Sequence, residues 1–263
     1  MPEAGSSLTL KILAALVLGF TLCPVIMLII AAFNPAPYFT FPPEDFSFKW
    51  FQEFFNNREY QSALQVSVVV ALSAVVVALI TGIPAAFAVD RYDFPGKPFI
   101  HTLLLSSLLL PRVIWAVALL QYYALLRVLG SPLGLILAHS VLVLPYVVRM
   151  VLSSLAYVDR DVEKAAQSLG ASPLRSFVEI TLPLVLPGVI IGAVFGFVIS
   201  FTDVVVATFI SGVRFITLPV RIYVEQRGQG IDPTAIAASA VVILVIIVLE
   251  IVGEKFFKWS RFM

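Results

Sequence analysis

The stretch that decides the fold is Tyr157-Val-Asp-Arg-Asp-Val-Glu-Lys-Ala-Ala-Gln-Ser-Leu-Gly-Ala-Ser-Pro-Leu-Arg-Ser-Phe-Val-Glu-Ile-Thr-Leu-Pro183. Val162, Ala165, Ala166 and Leu169 fall at the i, i+3, i+4, i+7 spacing of one helix face. Asp159 or Asp161 can cap the start, where acids also complement the helix dipole. Gly170 supplies the residue that helix C-termini prefer. Ser172 and Pro173 restart a helix, serine as cap and proline at the first helical position. Leu174, Phe177, Val178 and Thr181 form the apolar face of this second helix. The product is a helix–glycine–helix element with a small-residue outer face that fits a groove of another protein. The competing reading is an amphipathic helix lying on a membrane. Ala165 and Ala166 give it little apolar depth, and anionic headgroups would repel Asp159, Asp161 and Glu163.

Outward from this element the chain is apolar. It has 263 residues, of which 60% are hydrophobic and 13% charged, with a mean hydropathy of +1.01. Soluble domains are about 45–50% apolar and about 25% charged, so a soluble enzyme and a disordered chain are excluded. The net charge of +1 gives no field for nucleic acid. Cys23 is the only cysteine, so no intrachain disulfide can form. A bilayer-crossing helix needs about 20 mostly apolar residues. Six runs qualify: 10–33, 62–89, 99–126, 128–148, 180–210 and 233–252. They read as helices in a single domain over 1–263, because backbone in lipid must bond within its own segment. The first run is too long for a cleavable signal core of about 7–15 residues, so it reads as a retained span. Lysine and arginine distribution mildly favours both termini inside. The cluster 254–263, with Trp259, reads as an inner anchor. Pro24, Pro84, Pro111, Pro145 and Pro187 predict bends within spans.

A family resemblance rests on these residues. Ala165-Ala166-Gln167-Ser168-Leu169-Gly170, nine residues, then Ile180-Thr181-Leu182-Pro183 resembles the EAA loop of ABC-importer permease subunits. Lys164 stands where that motif usually has glutamate, with Glu163 just before it. The segment 91–97 resembles the short inner hairpin of these permeases. Ser200-Phe-Thr-Asp203, Phe209-Ile-Ser-Gly212 and Thr217-Leu-Pro219 resemble their fifth span and outer gating segment. Ile231-Asp-Pro-Thr-Ala235 resembles the approach to their last helix. The resemblance implies an all-α, six-span type I importer fold in a bacterial inner membrane, with loop 157–183 cytoplasmic. It also implies a second permease subunit, two ATPase copies that bind ATP and magnesium, and a periplasmic binding protein. Residues 159–169 would be the coupling helix, with Asp161, Glu163, Lys164, Ala165, Ala166, Leu169, Gly170, Ser172 and Pro173 as the coupling set. The similar branch carries spermidine, putrescine and related small solutes such as opines. The chain has no phosphate-binding G-x-x-x-x-G-K-[ST] motif of its own.

Ionisable residues at membrane depth are functional suspects. Arg112 follows Pro111 within the third run, and Asp203 follows a long apolar run in the fifth. They either pair or line a solute route, together with Trp115, Tyr122 and Tyr123, whose aromatic faces suit cations. Asp203 on the route favours a polyamine. Arg112 on the route favours a carboxylate-bearing solute. His101 and His139 lack partners at metal-site spacing and read as polar groups satisfied in the bundle. An ion-coupled carrier would need paired intramembrane carboxylates or broken repeats, and an intramembrane enzyme a catalytic cluster. Neither is apparent in the sequence.

Overall fold

The structure is a computed structural model that describes residues 8–38, 40–228 and 232–257. The expected anchor residue Trp259, the rest of 258–263 and Ile231 lie outside them. The described residues form helices in the order α1 (Leu8–Ala31), α2 (Lys49–Asn56), α3 (Arg58–Arg91), α4 (Lys97–Leu109), α5 (Arg112–Leu125), α6 (Pro132–Leu155) and α7 (Arg160–Ser168). Then come α8 (Pro173–Ser176), a π-helical turn (Phe177–Thr181), α9 (Leu182–Phe201), α10 (Val205–Ile210), α11 (Leu218–Gly228) and α12 (Pro233–Phe257). Among the described residues, five helical stretches are long and apolar enough to cross a membrane, or six if α4 and α5 together make one span.

The third run departs from expectation. It is not one helix: α4 and α5 meet at an angle of 106°. Leu110, ahead of Pro111, is extended at φ −95°, ψ 141°. A residue before proline is pushed out of the helical region, and proline has no N–H for the ladder. Pro24, Pro84, Pro145 and Pro187 are instead carried inside α1, α3, α6 and α9. The fifth run also stops early: α9 ends at Phe201, and α10 follows after 202–204. The fourth starts later than expected because Ser131 caps α6 by accepting from Gly134 N, with Pro132 in the first turn.

The chain forms two compact units. One joins the chain up to Gln61 with Ile222–Val245. In it, Ala32, Ile236 and Ala240 are buried with Leu28, Ile29 and Phe51 around them. The Trp50 indole donates to Asn34 O at 2.9 Å, and the Phe33 ring meets Phe48 and Phe51 at 5.3 and 4.9 Å. Tyr60 donates its hydroxyl to Glu225.

The other unit, Ser62–Arg221 with Ile246 onward, holds the main core. Its centre is α6, whose Val143, Val147, Val148, Val151 and Leu155 are buried against Ala74, Val75 and Ala78 of α3 and Val185 and Val189 of α9. A second cluster joins Val70, Ala116, Tyr123, Leu135, Ala138, Leu142, Val206 and Ile210. With no hydrophobic drive between helices in lipid, close contact between small residues supplies association. Gly188, Gly192 and Gly196 recur every fourth residue on α9 and face α6. A Cβ at Gly188 would lie 2.1 Å from Ser154 Oγ and 2.7 Å from Met150 O.

Gly188→Ala should therefore force α6 and α9 apart and destabilise the protein by about 1–3 kcal/mol. Gly19, with nothing within 4 Å of its Cβ position, is the control. Thermal unfolding in detergent should show several degrees lost for Gly188→Ala and none for Gly19→Ala. Equal midpoints would contradict this packing.

Candidate functional site

Local chemistry shapes the loop between α6 and α9. Asp159, not Asp161, caps α7, its side chain accepting from Asp161 N at 2.9 Å. The far end closes with Gly170 N bonded to Gln167 O and Ala171 N to Ala166 O, the paired arrangement that requires a left-handed residue. Gly170 provides it at φ +96°. Ser172 then caps α8 by accepting from Arg175 N at 3.3 Å, with Pro173 in first position.

The two faces of α7 differ in burial. Val162 and Leu169 are exposed, Leu169 by 91%, while Glu163 is buried. Glu163 Oε1 accepts from Arg91 Nε at 3.0 Å and from Thr181 Oγ1 at 2.9 Å, and Arg91 Nη2 lies 2.9 Å from it as an ion pair. Arg91 also meets Asp90 Oδ2 at 2.6 Å and Val158 O at 3.4 Å. Arg160 returns to Asp90 O at 2.8 Å. The segment 91–97 and loop 157–183 thus sit at the same end of this unit. On α8 and the π-helical turn, Ser176 and Thr181 are buried and Phe177 packs on Phe87 at 4.6 Å, whereas Leu174 and Val178 are exposed. Lys164, Ala165 and Asp161 face outward. Lys164 Nζ reaches Asp161 Oδ1 at 2.8 Å and holds that carboxyl below its usual pKa. A cavity of about 280 Å³ lies between Phe87, Tyr92, Arg160, Lys164, Gln167 and Pro173.

At the opposite end of α9 the structure brings Arg112 and Asp203 together. Asp203 is 1% exposed. Its Oδ1 lies 3.4 Å from Arg112 Nη1, and its Oδ2 accepts from Ala207 N at 3.0 Å in the first turn of α10. The pair joins two interruptions, the α4–α5 break and the α9–α10 break. Trp115 is half-buried on α5, with no described acceptor for its indole N–H. Tyr123 lies in the second apolar cluster, and Tyr122 is exposed. His139 Nδ1 bonds Ser200 Oγ at 2.8 Å, while its buried Nε2 has no described partner. Among the described residues no group of His, Cys, Asp and Glu is placed to hold a metal.

Sequence reasoning missed the Arg91–Glu163–Thr181 contact and the His139–Ser200 pair. The one available signal was the position of Arg91 at the end of an uncharged run.

With this geometry in view, comparison with known proteins gives consistent findings. The family described as binding-protein-dependent transport system inner membrane component matches residues 7–261. The spermidine/putrescine transport system permease protein PotC of Haemophilus influenzae is 35% identical over 241 residues, covering 90% of this chain and 92% of that protein. The putrescine transport system permease protein PotI of Escherichia coli is 33% identical, covering 93% of this chain and 88% of its own length. In fold, the chain is similar to a chain of a bacterial ABC transporter involved in import of the acidic polysaccharide alginate. That match has a TM-score of 0.68 at 16% identity, covering 98% of this chain and 100% of that one.

The left-handed turn is testable by itself. Nothing lies within 4 Å of a Cβ at Gly170, so only backbone strain opposes substitution. Gly170→Val should cost about 1–2 kcal/mol, which raises transient opening of the loop roughly 5–30-fold. Gly170→Asn should cost less, since asparagine tolerates this region. Rates of proteolytic nicking at 169–173 report the difference. Equal rates for both variants and the native chain would contradict the turn.

Proposed function

The chain belongs to the family of binding-protein-dependent transport system inner membrane components, and from that premise we propose that it carries a polyamine into the bacterial cytoplasm. It is a membrane-spanning permease subunit of an ABC importer, and ATP hydrolysis belongs to a separate subunit. Family membership favours this machinery over an ion-coupled carrier. In the proposed complex, a second permease completes the pathway and two ATPase copies hold ATP and magnesium. A periplasmic binding protein delivers solute from outside, and both termini lie inside. The polyamine assignment draws on the similarity to PotC and PotI.

In this reading α7 is the coupling helix. The observation that carries it is the one-sided burial of α7: Glu163 is tied into the chain, while Val162, Ala165 and Leu169 are left uncovered. Hydrolysis occurs outside the membrane, so a rigid element must bring the motion in. A short helix linked to α6 and α9 does this by rigid-body rotation. Asp161, Lys164, Ala165 and Leu169 supply the docking face, Ala166 packs beneath it, and Gly170, Ser172 and Pro173 fix the turn that follows.

The solute route passes the Arg112–Asp203 pair. Non-helical backbone at membrane depth is tolerated where it is buried in protein or lines a cavity, and both breaks meet at this pair. The contact is a single 3.4 Å approach rather than a bidentate one, so an ammonium of the solute can replace the guanidinium at Asp203. Trp115, Tyr122 and Tyr123 follow Arg112 on α5. A second reading, import of a carboxylate-bearing solute, is favoured by one observation: the Arg112 side chain is 41% exposed and that of Asp203 fully buried.

Two measurements follow. Leu169→Asp should reduce the ATPase that copurifies with the permease, and undiminished copurification would contradict docking through α7. Asp203→Asn should lower spermidine uptake in proteoliposomes severalfold, with assembly and basal ATP hydrolysis intact. Unchanged uptake would remove Asp203 from the route.

A further inference from the structure

Glu163 sits on the proposed coupling helix yet is buried within this chain. Its Oε1 accepts hydrogen bonds from Arg91 Nε and Thr181 Oγ1 and is ion-paired with Arg91 Nη2. Arg91 is the last residue of α3, and Thr181 the last of the π-helical turn that leads into α9. Three positions of the α7 segment are held by the last turn of α3. Val158 O receives Arg91 Nη2, Arg160 reaches Asp90, and Glu163 receives Arg91. Ser176 Oγ adds a 3.5 Å approach to Glu163 O.

The connection on the other side of α7 is a short turn closed by backbone hydrogen bonds. It runs through Gly170, which is left-handed and has open space around its Cβ position.

A buried ion pair is a costly way to gain stability, since well-packed apolar groups often do as well. What it does give is direction: a carboxylate oxygen bonded at once by the end of α3 and by the π-helical turn holds α7 against both. We infer that the Arg91–Glu163–Thr181 contact is the clamp that makes α7 move as one body with α3 and passes its motion to the base of α9. Glu163 is a positioning residue in it and does not touch the ATPase. This inference rests on α7 being the coupling helix.

The test uses the full importer in nanodiscs, with Cys23→Ser and spin labels at Ser168→Cys on α7 and Ile80→Cys on α3. Both sites are exposed. With the clamp intact, the label–label distance should be the same without nucleotide and with trapped ATP. In Glu163→Ala and in Arg91→Ala it should shift with nucleotide, and the double variant should shift no further than either single. Glu163→Gln, which keeps the shape and a bond to Thr181, should shift less. ATPase bound per permease should stay unchanged in all of them, while solute imported per ATP hydrolysed falls severalfold. A nucleotide-dependent distance in the intact protein, or a constant one in Glu163→Ala, would overturn the clamp. So would loss of the ATPase from Glu163→Ala, which would place Glu163 in the docking face. A Ser168 label whose mobility ignores the bound ATPase would overturn docking through α7 and the clamp's transmitting role with it. A label immobilised by the ATPase, with the distances against prediction, would overturn the clamp alone.

Discussion

A polar group shut away from water must find its partners within the protein, and that constraint shapes the two polar centres of the larger unit. They are built alike. Each has a buried carboxylate, each carboxylate meets an arginine at a helix end, and each takes a further donor from the segment that follows. Asp203 meets Arg112, the first residue of α5, and takes Ala207 N–H. Glu163 meets Arg91, the last residue of α3, and takes the Thr181 hydroxyl. Removing one partner from such a pair leaves an uncompensated charge, which is far more costly than never having had the pair. Both pairs sit where the helical ladder stops or restarts, so they set how the interrupted segments meet.

Between these two centres the packing is apolar and close. The α9 glycines press against α6, and α6 is the most enclosed helix of the unit. Such an interface has few intermediate arrangements, because packed helices deform poorly. With α7 as the proposed coupling helix, motion entering through it is carried as displacement of whole helices. This suits a permease whose energy source is another subunit and whose solute must pass a site remote from that source.

Much of this was legible in the sequence, and the failures have physical causes. Composition excluded a soluble protein. Local chemistry placed α7, its acidic cap, Gly170 and the Ser172–Pro173 restart, because caps and turns depend on residues a few positions apart. Apolar runs located the spans but not their continuity: hydropathy is equally high on either side of Pro111, whether the helix bends there or breaks. The α9 stop at Phe201 was hidden for the same reason. The buried side of α7 was not legible because it is decided by Arg91, 72 residues away. The resemblance put Glu163 in the coupling set, and no local pattern announces a distant partner for it. The Gly188, Gly192, Gly196 spacing was visible, whereas the helix it faces was not.

The central claim is that the exposed face of α7 lies on the cytoplasmic side, seated on the ATPase. Site-directed crosslinking tests it most directly, using Cys23→Ser with Leu169→Cys in the assembled importer. The account predicts a crosslink from residue 169 to the ATPase and no labelling by a membrane-impermeant maleimide added to intact cells. Labelling from outside, with no crosslink to the ATPase, would contradict it.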